Sequence, residues 1–162
     1  MNLREDKHWS YGASTFVVDA KGQRPFIGYA PVQTDKTKES MQEVLSELQG
    51  IVGSKPATTD ELQKVQNSMT LELPGSWETN GAVAGSIADM VRYGLPDDYY
   101  ATYSGKVRAL GLQDLGDAAK TVVHPSNLTW VVVGDRAKIE AGIRELNLGE
   151  IRFLDGDGNP VK

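Results

Sequence analysis

The run from Met41 to Val52 constrains the fold more than any other segment, because its apolar residues recur with the spacing of a helix. The apolar positions are Met41, Val44, Leu45, Leu48, Ile51 and Val52, and polar side chains fill the positions between them. This i, i+3, i+4, i+7 pattern predicts an amphipathic helix with one buried face. Asp35 is the expected N-cap, and Gly53 with Pro56 should end the helix.

A second helix is predicted after Thr58, because Thr58-Thr59-Asp60-Glu61 fits a capping box. Pro74-Gly75 should break this helix. Apolar periodicity predicts four further helices, around Ala82–Tyr93, Tyr100–Leu110, Leu115–Val123 and after Asp135. Gly94-Leu95-Pro96 is expected to stop the first of these four.

Strands are predicted near both ends of the chain. Trp9–Asp19 and Arg24–Val32 look like an antiparallel hairpin, and Leu128–Val133 is almost continuously apolar, as in a central strand. Ile151–Leu154 should form a last short strand. The order of two strands, several helices and then strand, helix, strand predicts an α+β fold, with helices packed on one face of a mostly antiparallel sheet.

The length, net charge and cysteine content of the chain exclude some classes of function. The chain has 162 residues, the size of one domain, and we expect residues 1–162 to form a single domain. Its net charge of −5 and lack of a basic patch argue against nucleic-acid binding. The sequence has no cysteine, which excludes a disulfide framework and a thiolate nucleophile.

The sequence has no recognisable metal motif. A catalytic zinc site needs about three converging ligands, and neither H-x-x-E-H nor H-E-x-x-H occurs. The two histidines, His8 and His124, are far apart in sequence. We interpret His8 as a polar residue before a strand and His124 as a residue at a helix C-terminus, where a positive charge is favourable. We therefore predict no metal ligand and no catalytic residue in this chain.

Three other segments resemble motifs for a serine nucleophile, a nucleotide site or a calcium site, but each lacks a residue that its motif requires. No G-x-S-x-G frames a serine. Val131–Asp135 resembles the opening of a nucleotide-binding βα unit but has a single glycine, so a buried strand that ends in an Asp N-cap is the preferred interpretation. Asp155–Asn159 begins like a calcium loop, but Pro160 occupies the position that needs glycine, so we predict a turn.

The N-terminal run Leu3–Gly12 carries a family resemblance. It resembles the L-R-E-x-x-x-x-x-Y segment in the non-catalytic half of pitrilysin/insulinase-type zinc metallopeptidases (inverzincins), whose active half has H-x-x-E-H. The likeness continues in the same order over most of the chain, at Pro56–Leu62, Gly94–Tyr99, Trp130–Asp135 and Asp157–Val161. The resemblance implies the mitochondrial-processing-peptidase-like fold of that family.

By this resemblance, Arg4 and Tyr11 match the substrate-binding arginine and tyrosine that hold the peptide backbone near the zinc of a partner half. An arginine stays charged and offers several fixed donors for backbone carbonyls. A tyrosine hydroxyl can stabilise a developing oxyanion, and loss of one such donor typically costs about 10²–10³ in rate. The chain has His8-Trp9 where Gly-Leu is common in the family, so the resemblance does not extend to the local turn or to a finer substrate preference.

The resemblance implies a function for the whole domain. It would be the non-catalytic, substrate-holding half of a zinc metalloendopeptidase, inactive on its own and without a cofactor of its own. A homologous half, on the same polypeptide or on a partner subunit, would supply H-x-x-E-H and zinc. The alternative is a scaffold or interaction subunit of the same fold without peptidase activity. A third candidate, a nucleotide-binding α/β domain, would predict thermal stabilisation by nucleotide, and we expect none.

Two further expectations also come from the resemblance. The family normally has a strand and a helix before the Leu3-Arg4 segment, so we expect an N-terminally truncated fragment. We expect a periplasmic location, with a cytoplasmic one as the alternative. A peptide is the expected substrate, and no nucleic acid or membrane span is expected.

Overall fold

The computed structural model describes residues 2–161, without the side chain of Asn2, and has the predicted α+β character. Helices dominate the described residues, and the strands are short. The helices are α1 (Thr37–Val52), α2 (Thr59–Leu71), α3 (Asn80–Tyr93), α4 (Tyr99–Ala109), α5 (Leu112–Val122) and α6 (Arg136–Glu145). The strands are β1 (Ser14–Val17), β2 (Phe26–Tyr29), β3 (Phe153–Leu154) and β4 (Pro160–Val161). Among residues 2–161, no helix is both long and apolar enough to cross a membrane.

The chain divides into two compact units. The first unit contains residues up to Thr15, Gly28–Glu47 and residues from Asn127 onward, and the second contains Phe16–Ile27 and Leu48–Ser126. The prediction of a single domain over residues 1–162 stays a prediction.

The first unit is organised around the start of α1. Leu3, Met41 and Ile139 are its buried apolar side chains. Helix α6 lies close to the first turn of α1, because a Cβ atom added at Gly142 would be 3.3 Å from Cβ of Lys38. Lys38 also forms an ion pair with Glu145 at the end of α6. Glycine at position 142 therefore allows the close approach of the two helices.

The second unit depends on contacts between α2 and α4. The side-chain amide of Gln66 donates to the carbonyl oxygens of Val107 at 2.9 Å and Leu110 at 3.0 Å. The guanidinium of Arg108 donates to the hydroxyl of Thr70 over 3.2 Å, and Thr70 is itself buried. The Val107 carbonyl also accepts from the N–H of Leu110 at 3.3 Å, so the Gln66 amide is a second donor to the last turn of α4.

Local signals located most helix ends correctly. The capping box is confirmed: the Thr58 hydroxyl accepts from the Glu61 N–H, and the Glu61 carboxylate accepts from the Thr58 N–H at 2.8 Å. These bonds to Thr58 lower the pKa of Glu61. Gly94 ends α3 with φ of +64°, in the left-handed region that favours glycine.

The predicted N-cap of α1 is wrong. Asp35 lies inside a 3-10 turn (Thr34–Lys36) that precedes the helix, and Gln33 occupies the cap position of that turn. Because this turn begins at Thr34, the helical backbone starts before Asp35, the residue that we predicted as the N-cap.

The hairpin near the N-terminus is shorter than predicted. Strands β1 and β2 form a two-stranded sheet, and an isolated antiparallel bridge joins Ser10 to Val32. Near the C-terminus, β3 and β4 pair antiparallel. The predicted turn between them is confirmed, with the Asp155 carboxylate accepting from the N–H groups of Asp157 and Asn159.

The predicted central strand at Leu128–Val133 is not a strand in the structure. No strand of the described chain pairs with this segment. The apolar pattern describes the side chains that a buried strand needs, whereas strand formation also requires a neighbour on at least one edge. Asp135, just after the segment, does cap α6 as predicted, through a bond from the N–H of Ala137.

Candidate functional site

The candidate site is built on a tight reversal of the chain at residues 2–10. Asn2–Asp6 form a π-helical turn. The carbonyl oxygen of buried Leu3 accepts from the N–H groups of Trp9 at 3.0 Å and Ser10 at 3.2 Å. His8 adopts φ of +56°, a conformation in which histidine is enriched among residues other than glycine. The reversal brings Tyr11 to the same part of the surface as Arg4.

Gln33, which lies after β2, holds this reversal in place through two hydrogen bonds. Its N–H donates to the carbonyl oxygen of Trp9 at 2.9 Å, and its side-chain amide donates to that of His8 at 3.1 Å. The Ser10 hydroxyl lies within hydrogen-bonding distance of the carbonyl oxygens of Pro31 and Gly12. Residues 8–10 are therefore tied to residues 31–33.

An open recess of about 600 Å³ lies along the reversal, and Arg4 and Tyr11 both line it. Tyr11 is 99% exposed, and its hydroxyl has no hydrogen-bond partner among residues 2–161. The Arg4 side chain is 54% exposed, and its Nε atom lies 3.2 Å from Oε1 of Glu5. Exposed ion pairs of this kind contribute about 0–1 kcal/mol, so Arg4 can exchange Glu5 for another acceptor at low cost.

Trp9 is a lining residue whose role the sequence did not indicate. The Nζ atoms of Lys7 and Lys36 lie 5.4 Å and 6.0 Å from the centroid of its ring, in positions for cation–π attraction. Lys7 also pairs with Glu43 on α1 at 3.6 Å. The sequence signal for this role of Trp9 was the departure from the common family pattern at His8-Trp9, because both residues line the recess.

The residues of the described chain do not fit a metal site. Over residues 2–161, no group of three or more His, Cys, Asp or Glu side chains could hold a metal ion. His8 and His124 belong to different units. His124 follows the end of α5, as predicted. The exposed donors of Arg4 and Tyr11 can bind carbonyl or carboxylate oxygens of a ligand, which requires no metal in this chain.

Comparison with known proteins supports the family resemblance. Residues 1–69, less than half of the chain, match the family model described as the peptidase M16 inactive domain. This match includes Arg4, Tyr11 and Gln33. The comparison with curated proteins found no match.

The fold is similar to that of a solved protein. The crystal structure of a peptidase M16 inactive domain from Pseudomonas fluorescens superposes with a TM-score of 0.68 at 16% sequence identity. The superposition covers 76% of this chain and 29% of that chain, so the present chain spans less than a third of its length. Together the two findings confirm the predicted resemblance. The chain has the N-terminal sequence pattern and the fold of a non-catalytic M16 domain.

Proposed function

We propose that this domain holds the backbone of a peptide substrate against the zinc site of a homologous half that carries H-x-x-E-H. The observation that carries the proposal is the shared recess, on which an exposed guanidinium and an exposed phenol lie together. Arg4 would bind peptide carbonyl oxygens, and Tyr11 would donate a hydrogen bond to an oxygen of the bound peptide. A periplasmic location remains part of the proposal.

The recess suits an extended peptide because its donors are held by backbone bonds. The reversal is fixed through the Leu3 carbonyl and Gln33, so Arg4 and Tyr11 start from constrained backbone positions. Binding groups held in this way lose less conformational entropy when a ligand arrives. The apolar ring of Trp9 adds a surface on which a substrate side chain can pack.

The test uses the chain assembled with its H-x-x-E-H half, as the complete gene product or as two subunits. Tyr11→Phe should reduce peptide turnover by about 10²–10³, as expected for the loss of one oxyanion donor. Arg4→Ala should chiefly raise KM, because it removes a contact to the bound backbone. Turnover unchanged in both variants would disprove the proposed role.

Two matched controls separate site effects from general ones. Tyr29→Phe removes an exposed phenol hydroxyl on β2, away from the lining of the recess. Arg92→Ala removes an exposed arginine that pairs with Asp89 on α3. Both controls should keep normal turnover and normal KM.

The scaffold alternative has the same fold and predicts a different gene context. If the complete gene and its neighbours encode no H-x-x-E-H motif, the domain would serve as an interaction subunit. A single sequencing read of the surrounding genes distinguishes the two functions.

A further inference from the structure

A lysine next to the recess carries a positive charge that the described chain does not neutralise. The Nζ atom of Lys36 lies 6.0 Å from the centroid of the Trp9 ring, and Trp9 lines the recess. Within residues 2–161 this ammonium forms no ion pair with a carboxylate, not even with Asp35, its neighbour in sequence. The Lys36 side chain is also only partly exposed. Its charge is therefore available to a carboxylate of a ligand.

The two other cations of the site already have carboxylate partners. The Nε atom of Arg4 lies 3.2 Å from Glu5. The Nζ atom of Lys7, which is also next to the tryptophan ring, lies 3.6 Å from Glu43. Exposed charges more than about 8 Å apart are largely screened at physiological salt, so the net negative charge of the whole chain has little effect here. Lys36 is therefore the cation of this surface that a ligand can neutralise without breaking an ion pair.

The backbone fixes Lys36 relative to the recess. Lys36 ends the 3-10 turn Thr34–Lys36, and its N–H donates to the carbonyl oxygen of Gln33 at 3.0 Å. Gln33 itself lines the recess and donates to the carbonyl oxygens of Trp9 and His8. These residues all belong to the first unit. The ammonium and the tryptophan ring are thus held beside the same binding surface.

The ring and the ammonium together fit a carboxylate on a short apolar stem. The methylene groups of such a side chain can pack on the Trp9 ring, while its oxygens accept a charge-assisted hydrogen bond from Lys36. A basic side chain would be repelled by Lys36. It would also find the cation–π positions at the ring already occupied by Lys7 and Lys36. The surface therefore favours acidic over basic ligand groups.

We propose that Lys36, next to Trp9, makes the recess select peptides that place a carboxylate beside their held backbone. The inference rests on the proposed substrate-holding function and deepens it, because it adds the class of peptide. The carboxylate comes from an acidic side chain or from the C-terminus of the peptide, and both sources pair with an ammonium in the same way.

The experiment measures kcat/KM of the chain assembled with its H-x-x-E-H half on a set of neutral, C-terminally amidated peptides. One series moves a single glutamate along the sequence, and matched series carry glutamine or lysine at the same positions. At one position, glutamate should be preferred to glutamine by about two- to fivefold, the range of an exposed ion pair, and lysine should be disfavoured. The preference should fade at about 1 M salt, where the screening length is about 3 Å.

A further peptide separates the two sources of the carboxylate. It contains no glutamate and carries a free C-terminal acid in place of the amide. If the free acid is preferred to the amide by a similar factor, the C-terminus of the peptide is the group that Lys36 binds. If only the glutamate series shows the preference, the acidic side chain is that group.

Variants test whether Lys36 carries the selection. Lys36→Gln should remove the preference for glutamate, and Lys36→Glu should reverse it, so that the lysine peptide becomes the better substrate. A reversal of this kind is not expected from a merely structural role. Lys64→Glu is the matched control, because Lys64 is exposed on α2 in the second unit, and it should keep the preference of the unchanged protein. Circular dichroism checks that each variant is folded.

Two different readouts separate this inference from the function on which it rests. Turnover of the glutamine peptide reports substrate holding, whereas the ratio between glutamate and glutamine peptides reports selection by charge. Equal kcat/KM for all carboxylate and neutral peptides, with turnover still dependent on Arg4 and Tyr11, would overturn the inference alone. A preference for glutamate that survives in Lys36→Glu would also overturn it. Turnover that is insensitive to Arg4→Ala and Tyr11→Phe would remove the proposed function and this inference with it.

Discussion

Arg4 and Tyr11 line one recess because the Leu3 carbonyl accepts hydrogen bonds from Trp9 and Ser10 and so reverses the chain between them. The reversal is a local structure, but it is fixed from outside by Gln33. The arrangement exposes two donors of different geometry on one surface. A rigid backbone with exposed donors is suited to holding an extended ligand.

The capping box gives the first prediction. Thr58→Ala removes the hydroxyl that accepts from the Glu61 N–H, and it should lower the free energy of unfolding by about 1 kcal/mol. Thr59→Ala is the matched control, since Thr59 is the first residue of α2 and its side chain forms no cap bond. Urea unfolding of the three proteins measures the difference, and equal midpoints for Thr58→Ala and Thr59→Ala would contradict it.

Alanine substitutions at two glycines, one inside α3 and one at its end, should change the free energy of unfolding in opposite directions. Gly94 has φ of +64°, so Gly94→Ala forces a left-handed alanine and should cost about 1–2 kcal/mol. Gly85 lies inside α3 with open space where an alanine Cβ would lie, so Gly85→Ala should stabilise by about 0.5–1 kcal/mol. Thermal unfolding of both variants is the measurement, and shifts of the same sign would argue against this account of α3.

Stability should fall in acid through carboxylates that accept hydrogen bonds in the fold. Bonds from Asn159 lower the pKa of Asp155, and bonds from Thr58 lower the pKa of Glu61. A folded pKa below the unfolded value, about 4 for both residue types, means that the contribution is complete above about pH 5 and is lost as pH falls through the folded pKa. Urea midpoints measured between pH 7 and pH 3 should therefore decrease on the acid side.

A pair of variants tests how much Asp155 contributes to the loss of stability at low pH. Asp155→Ala removes the acceptor of the β3–β4 turn and should flatten the dependence below about pH 4. The Asp157 carboxylate forms no hydrogen bond within residues 2–161, so Asp157→Ala is the control. If both variants keep the same acid dependence, the Asp155 turn does not contribute.

Helices were predicted well because their signals are local. Thr58 and Glu61 lie within one turn, and Gly94 needs only its own backbone angle, so the sequence contains all the information that these ends require. Asp35 shows the limit of this reasoning. Several residues near a helix start can cap it, and the 3-10 turn that contains Asp35 contacts α6, which the residues around the helix start do not reveal.

Strands and the site depend on distant partners, which a single sequence does not show. Leu128–Val133 has the composition of a central strand, yet pairing requires a neighbour that the described residues do not supply. The motif at Arg4 and Tyr11 could be found by resemblance. The support from Gln33 could not, because that residue reaches the reversal only after the chain has turned back on itself.

Gln33 therefore gives the prediction that best tests the architecture of the site. Gln33→Met keeps the length of the side chain but removes the donor to the His8 carbonyl, and it should lower the free energy of unfolding by about 1 kcal/mol. Under the proposed function, KM of the chain assembled with its H-x-x-E-H half should rise although Arg4 and Tyr11 are unchanged, because the reversal would loosen. Gln49→Met is the control, since Gln49 is exposed on α1 and its side chain forms no hydrogen bond among the described residues. A rise in KM for Gln33→Met that Gln49→Met does not share would link the position of the two donors to the segment after β2. Equal KM values would show that the recess tolerates a mobile reversal.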